Sequence, residues 1–391
     1  MSTRRRIGYE GIAVAVPVSV PYRRYSTHGA HWFIGQALER LVRESGIDKA
    51  QIDGLTISSF SLGPDTAVGL TQHLGVSPRW LDYLPNGGAS GVMALRRAAR
   101  AVQAGDADVV ACIAGDTNHV DSFRLMLGGF SYFARDASYP YGAGGPNSVF
   151  AMITAHYMRK YGAKREHFGR VAVSQRFNAN RNPLAVFHKQ TLSLDEYMAA
   201  RAISDPVHLY DCVMPCAGGE AFLVMTEARA RELGLPHAII RGTIERHNAY
   251  ADDPVMERGG WLVDRDDLWA QAGARPDDVD FVQTYDDYPV IVMIQFEDLG
   301  FCGKGEAPAF VDSHDLTCLG SFPNNTGGGQ LSAGQAGAAG GFLGLTEALR
   351  QLTGRAGEHA VKDARLGLVT GFGMVTYDRC LCTGAVLLGS A

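Results

Sequence analysis

Two stretches of the chain repeat the same order of apolar and polar positions. In residues 37–58 an amphipathic helix stops at Gly46, a short polar turn follows, and an apolar strand begins after an aspartate. Residues 266–285 show the same order, with the helix stopping at Gly273. Helices commonly end at a glycine in the left-handed conformation, so both glycines predict helix ends.

A second pair of segments also matches. Residues 86–116, NGGASGVMALRRAARAVQAGDADVVACIAGD, predict a glycine-rich turn, a helix over 92–102 and a buried strand. Residues 327–354, followed by 364–373, contain the same three parts in the same order. Two copies of a βαβ unit about 230 residues apart predict a duplicated α/β fold, with parallel strands and helices on their faces.

The boundary between the copies is expected near residues 228–239, where a helix ends in Gly-Leu-Pro. This boundary predicts halves at 1–236 and 237–391. The first half contains an insertion, about 118–201, that is rich in aromatic residues, glycine, asparagine and arginine. Its polarity suits a lid or loop over a site better than a core.

Composition narrows the function classes. The chain of 391 residues has 36 Lys and Arg against 41 Asp and Glu, a net charge of −5, and no basic stripe, so nucleic acid is not an expected partner. It has no apolar run of membrane-spanning length and no signal peptide, so we expect a cytoplasmic protein. The seven cysteines form no disulfide framework, and neither they nor the histidines have convincing metal-ligand spacing. We therefore expect reduced thiols and no metal.

The chain resembles the thiolase superfamily, and within it the sterol carrier protein X-like, lipid-transfer protein branch. The resemblance is carried by YDDYPVIVMIQFEDLGFCGKGEAPAFV (285–311), FPNNTGGGQLSAGQAGAAGG (322–341), DCVMPCAGGEAFLVM (211–225) and GDADVVACIAGD (105–116). It covers nearly the whole chain. It implies the thiolase fold, in which two βαβαβαββ halves form a five-layered αβαβα arrangement.

Three side chains that the resemblance leads us to expect are missing. The family places its nucleophilic cysteine in the turn that reads NGGASG here, and Gly88 stands at that position. Gln335 replaces a family histidine, and Pro146 is the nearest match to a histidine of the thiolytic branch members. A glycine cannot be acylated, so a covalent acyl-enzyme is not expected. The vacated position is expected to leave room for a bulkier substrate.

The remaining polar groups suit stabilisation of a thioester enolate. Tyr285 stands where the wider family has the Asn or His of its oxyanion hole, and the amide of Gln335 is a further donor. The backbone N–H groups around Gly88 and from Gly371 to Gly373 complete the set of candidate hydrogen-bond donors. These donors would hold the thioester oxygen of the acyl-CoA substrate.

This chemistry fits retro-aldol cleavage of a β-hydroxyacyl-CoA, with a steroid-like, aryl or branched acyl group. The branch that this chain resembles includes cysteine-free retro-aldolases that shorten steroid side chains. These enzymes have tyrosines at the positions of Tyr285 and Gln335. The amide of glutamine cannot accept a proton in the way that a tyrosine phenolate can. The base is therefore expected to be Tyr285 or one of its neighbours Asp286, Asp287 and Tyr288, with Gln335 orienting substrate or water.

Tyr377 is a further candidate, because it lies in the last of the family's four loops, where some relatives have histidine. A core role for this tyrosine is the alternative.

Coenzyme A is expected as the thioester of the substrate, with no tightly bound cofactor. Arg170, Arg176, Arg181 and Lys189 of the insertion are candidates for its phosphates, or are ordinary surface residues. The resemblance implies an isologous homodimer through the edge strand of the first half, and a small partner protein with a zinc ribbon and an OB-fold domain. The aromatic-rich residues 125–142 are either a docking surface or a substrate lid.

Two other functions stay open at this point. One is a thiolase-type acyltransferase, similar to acetyl-CoA acetyltransferase, with a displaced nucleophile. The other is a non-catalytic subunit that binds acyl-CoA or lipid for a partner.

Overall fold

The structure, a computed structural model, describes residues 8–119, 136–137, 139–143 and 145–391. The predicted insertion and the aromatic-rich segment 125–142 are thus described only in part. Within the insertion, residues 120–135, 138 and 144 lie outside the described ranges.

The first half alternates strands and helices in the predicted order. It contains β1 (Ile12–Arg23), α1 (Ala30–Ser45), β2 (Gly54–Ser58), α2 (Ala67–Leu74), β3 (Trp80–Tyr83), α3 (Ser90–Ala104) and β4 (Val109–Asp116). Within the insertion lie α4 (Pro146–Tyr161), α5 (Arg165–Arg181) and α6 (Leu194–Met198). A short ribbon of β5 (Ala202–Ser204) and β6 (Val207–His208) follows, then β7 (Ala217–Thr226) and α7 (Glu227–Glu232).

The second half repeats this order with its own additions. It contains β8 (His237–His247), α8 (Trp261–Ala272), β9 (Phe281–Gln283), α9 (Pro289–Leu299), α10 (Ala307–Ser313), α11 (Gly329–Ala333), α12 (Gly340–Leu352), β10 (Leu366–Thr376) and β11 (Arg379–Ser390). The counterpart of β3 is reduced to one parallel bridge between Val282 and Asn324. Because α7 ends before β8 begins, we propose that the halves divide at 1–236 and 237–391.

The predicted helix ends are confirmed. α1 and α8 stop at Gly46 and Gly273, which have φ of 69° and 61°. This left-handed conformation strains residues that carry a Cβ, so glycine ends both helices at matching points of the two halves.

The strands form one mixed sheet in the order β3-β2-β4-β7-β1-β8-β11-β10-β9. The expected parallel pairing holds only for β2 with its neighbours β3 and β4 and for β9 with β10, and the other neighbours are antiparallel. The prediction of parallel strands is therefore wrong for the middle of the sheet. β10 and β11 are joined by a two-residue turn, which permits antiparallel pairing only.

Helices α3 and α12 lie between the two halves of the sheet. Both contact strands from both halves, and their side chains form the middle one of three large buried clusters. The other two clusters lie under the outer helices, α1 and α2 on one side and α8 and α9 on the other. The layers therefore run αβαβα, as the resemblance implied. None of the helices in the described ranges combines the length and apolar character that crossing a bilayer requires.

Candidate active site

Loops from both halves enclose a cleft of about 410 Å³. Its walls come from the turn before α3, the end of β4, the start of α4, the segment before β7, the loops after β9 and α11, and the last part of β10. Its lining includes Gly88, Asp116, Pro146, Asn147, Arg201, Cys212, Cys216, Tyr285, Asp287, Tyr288, Gln335 and Gly373.

The glycine-rich turn presents the start of α3 to this cleft. Ser90 fixes the turn, because its Oγ accepts from Asn86 N at 3.0 Å and donates to Leu84 O at 2.8 Å. In the described part of the chain, no acceptor pairs with the backbone N–H of Gly88. An unpaired N–H at a helix N-terminus favours a negative charge, so this turn suits a thioester enolate oxygen.

Gly371 and Gly373 shape the turn from the other side. A Cβ on Gly373 would lie 2.2 Å from Asn86 O, and one on Gly371 would lie 3.1 Å from Ala89 Cα. Strand β10 therefore passes close to the turn only because these positions lack side chains. The close approach of β10 to the turn explains why glycine stands at both positions. This explanation does not require their N–H groups to bind the acyl-CoA.

The ring of Tyr285 fills the space beside Gly88. A Cβ built on Gly88 would lie 1.9 Å from Tyr285 Cζ and 2.3 Å from its Oη, so no side chain fits at position 88 while this ring is present. The expectation of extra room for substrate at the vacated cysteine position is therefore wrong. The space belongs to a tyrosine from the second half of the chain.

Tyr285 is a neutral donor in this setting. Its side chain is 5% exposed, and its backbone N donates to Thr370 Oγ1 at 2.8 Å. Burial, with a smaller contribution from the charge of Asp287, raises the phenol pKa well above its ordinary value. The hydroxyl therefore keeps its proton at neutral pH.

Gln335 connects Tyr285 with Asp287. Its Nε2 donates to Asp287 Oδ1 at 2.8 Å and to Tyr285 Oη at 3.4 Å. The backbone of Gln335 is held on both sides, since its N donates to Met214 O at 3.0 Å and its O accepts from Cys216 N at 2.7 Å. Burial raises the pKa of Asp287 to about 7, while hydrogen bonding with Tyr285 opposes the rise.

Asp286 lies outside the cleft lining, unlike the carboxylate next to it. It is 1% exposed and accepts hydrogen bonds from Gln330 N at 2.9 Å and Leu331 N at 3.0 Å, at the start of α11. Burial raises its pKa to about 6. Asp286, a predicted site residue, therefore anchors the start of α11. The carboxylate that lies in the cleft is that of Asp287.

Tyr288 also lines the cleft. Its hydroxyl donates to Asn147 Oδ1, and its ring stacks on Phe150 with centroids 4.0 Å apart. Asn147 had no sequence signal beyond its place beside Pro146, the position matched to a family histidine.

Tyr377 lies apart from these groups. It stands in the turn between β10 and β11, is 48% exposed, and lines a neighbouring groove with Tyr139 and Tyr141. This groove adjoins the cleft at Pro146 and Val375, which line both. The structure thus separates Tyr377 from Tyr285 and Gln335, and it also places the ring outside the core.

The thiols of the chain are free, and none is activated. Burial raises the pKa of all seven cysteines, to about 12 for the two that line the cleft, Cys212 and Cys216. A nucleophilic cysteine needs a lowered pKa. The described residues also contain no cluster of metal-ligating side chains.

The basic residues considered for the coenzyme phosphates lie away from the cleft. Arg170 pairs with Asp312, Arg176 is buried beside Ser332, Arg181 covers the ring of Phe177, and Lys189 is exposed elsewhere. Arg201, for which the sequence gives no signal of such a role, does line the cleft.

Known proteins resemble this chain over most of its length. Residues 265–383 match the family model described as thiolase C-terminal domain-like. A steroid side-chain-cleaving aldolase from Thermomonospora curvata is 31% identical over 335 residues, 82% of this chain and 84% of that protein. A 17-hydroxy-3-oxo-4-pregnene-20-carboxyl-CoA lyase from Mycobacterium tuberculosis is 32% identical over 359 residues, 86% of this chain and 91% of that protein.

Two solved structures share the fold. The Ltp2-ChsH2(DUF35) aldolase is 28% identical, with a TM-score of 0.83, and the match covers 97% of this chain and 98% of that one. A monomeric SCP2-thiolase like protein type 1 from Mycobacterium smegmatis has a TM-score of 0.73 at 15% identity, over 99% of this chain and 78% of that one.

Proposed function

Since the chain belongs to the thiolase superfamily, in the branch that contains steroid side-chain-cleaving aldolases, we propose that it cleaves a β-hydroxyacyl-CoA by a retro-aldol reaction. The products are a shorter acyl-CoA and a ketone. The observation that carries this proposal is the ring of Tyr285 beside Gly88, because it excludes the side chain that a covalent route requires.

The reaction needs one base and one oxyanion site. A base removes the proton of the β-hydroxyl, the oxygen forms a carbonyl, and the Cα–Cβ bond breaks. The released electron pair rests on the thioester oxygen as an enolate until the α-carbon is protonated. The N–H of Gly88 and the hydroxyl of Tyr285 are the donors for that oxygen, each worth a few kcal/mol in a site that excludes water. The hydroxyl proton of Tyr285, which is hydrogen-bonded to Asp287 in this structure, turns to the enolate oxygen when substrate is bound.

The size of the site favours a large apolar acyl group. The cleft adjoins the groove lined by Tyr139, Tyr141, Met152 and Tyr377, whose walls are mainly apolar. The relatives named for steroid substrates support the same class. We propose a steroid-like β-hydroxyacyl-CoA as the first substrate to test, with aryl and branched analogues as alternatives.

Purified protein should convert 17-hydroxy-3-oxo-4-pregnene-20-carboxyl-CoA, or a smaller β-hydroxyacyl-CoA, to a ketone and a shorter acyl-CoA. Liquid chromatography with mass spectrometry measures both products. Tyr285→Phe should lower kcat by a factor of about 100 to 1,000, as loss of an oxyanion donor does. A covalent acyl adduct in the intact mass, or saturable binding of these thioesters without turnover, would refute the lyase and support the acyltransferase or the binding subunit.

The assembly is also proposed. One similar solved structure is an Ltp2-ChsH2(DUF35) complex, so the assay should be run with and without a small zinc-ribbon and OB-fold protein. We further propose an isologous homodimer through β3, which forms the free edge of the first half.

A further inference from the structure

We propose that Asp287 is the catalytic base that accepts the β-hydroxyl proton, and that Gln335 is a positioning residue that holds its carboxylate. This inference rests on the retro-aldol function proposed above. The related retro-aldolases have a second tyrosine where this chain has Gln335. The inference assigns the proton-accepting step to Asp287, because that tyrosine is missing.

The position of Asp287 suits this role. Of the two adjacent carboxylates after β9, Asp287 lines the cleft, while Asp286 is held by the backbone at the start of α11. Gln335 Nε2 lies within hydrogen-bond distance of both Asp287 Oδ1 and Tyr285 Oη. The carboxylate therefore lies in the same group of side chains as the donor assigned to the enolate oxygen.

The described residues that line the cleft offer no other suitable base. Among the described residues, no histidine, lysine or glutamate lines the cleft. Tyr285 and Tyr288 are buried phenols whose pKa is raised well above the ordinary value, and the cysteines are thiols with raised pKa. Asp116, the other carboxylate in the lining, already accepts hydrogen bonds from Ser59, Phe60, Ser61 and Ala338.

The surroundings of Asp287 increase the basicity of its carboxylate. A carboxylate accepting few hydrogen bonds in a partly dehydrated cleft is a stronger base than one in water. The step balances without a further reactant. Asp287 takes the hydroxyl proton, the O–H electron pair becomes the second bond of the ketone, and the Cα–Cβ pair moves to the thioester oxygen. The proton then returns to the α-carbon of the acyl-CoA, which restores the carboxylate.

The test compares Asp287→Asn with Asp286→Asn, two isosteric changes at neighbouring positions. We expect Asp287→Asn to lower kcat by a factor of about 100 to 10,000 with KM changed less than about threefold, because the base acts in the chemical step. Asp287→Glu should recover part of the loss. Asp286→Asn should keep kcat within about tenfold of the wild type, and circular dichroism checks that each variant is folded.

Gln335→Ala separates positioning from a structural role. Asp287 is faced by Tyr285, Asp286, Tyr288 and Cys380, in addition to Gln335. Removing the amide donor should move the acidic limb of the kcat profile to higher pH, whereas a purely structural loss would leave its midpoint unchanged.

The outcomes separate this inference from the function. If the wild type cleaves the substrate and Asp287→Asn keeps kcat within tenfold, the base assignment is overturned and the lyase stands. If the wild type cleaves none of the thioesters, alone or with the partner, the proposed function itself fails.

Discussion

Asp286 and Asp287 are chemically identical neighbours with different surroundings. Backbone N–H groups of α11 hold the first, while the second lies in the cleft beside Gln335 and Tyr285. Burial raises the pKa of both, to about 6 and about 7. At this scale the hydrogen-bond partners, rather than the residue type, decide which carboxylate is available for chemistry.

The pH dependence of cleavage follows from the raised pKa of Asp287. A base must be unprotonated, so kcat should rise with pH through about 7 and fall in acid, where the carboxyl group holds its proton. A rate profile from pH 5 to 9 measures this limb. A profile flat across pH 6 to 8 would show that no group with this pKa acts in the rate-limiting step.

Gly88 and Tyr285 should be energetically coupled. Gly88→Cys places a side chain on the Tyr285 ring and should lower the free energy of unfolding by about 1–3 kcal/mol or more, as overpacking does. When Tyr285 is already replaced by alanine, adding Gly88→Cys should lower the free energy of unfolding much less, because the ring that the cysteine would contact is absent. Denaturant melts of the four proteins form the cycle, and additive effects would contradict the contact.

At the scale of elements, Asp116 joins three segments around the cleft. It stands at the end of β4 and accepts from Ser59 Oγ at 2.7 Å, Phe60 N at 2.9 Å and Ser61 N at 2.8 Å. Ala338 N, from the loop before α12, donates to it at 2.7 Å. One buried carboxylate thus ties the loop after β2 and a loop of the second half to the end of β4.

Asp116→Ala should lower the free energy of unfolding by at least about 3 kcal/mol, because several buried donors lose their acceptor. Asp108→Ala is the control, since that side chain is 82% exposed and pairs only with the surface residue Arg79 among the described residues. Its effect should stay within about 0.5 kcal/mol. Equal losses in the two variants would mean that Asp116 does not hold these segments together.

The elements themselves were largely predictable from sequence. The helix ends at Gly46 and Gly273 and the turn at Gly88 follow from local patterns, because helix periodicity and glycine conformation are properties of short segments. The antiparallel centre of the sheet was missed, since strand direction depends on connections between distant segments. The orientation of the Asp286 and Asp287 side chains could not be predicted from sequence either. A loop lacks the regular repeat that fixes side-chain direction in a helix or a strand.

At the scale of the whole molecule, β3 offers an unpaired edge. Trp80 N and Leu84 N donate to Asp53 O and Ile57 O of the neighbouring segment, so strand alternation directs the N–H of Leu81 away from β2. β3 ends the sheet within the described residues. A second copy of the chain is a suitable partner for this edge.

Leu81→Pro should therefore convert a dimer to a monomer while the fold is kept, because it removes an N–H that β2 does not use. Leu81→Ala is the matched control for the lost side chain and should stay dimeric. Sedimentation velocity measures both. A wild-type monomer, or a Leu81→Pro dimer of unchanged affinity, would exclude pairing through β3.

The contact between Gly88 and Tyr285 also limits how this site could be redesigned. A cysteine at position 88 and the aromatic ring at position 285 would occupy the same space. Engineering a thiolase-type nucleophile into this chain therefore requires that the ring be replaced by a smaller side chain as well.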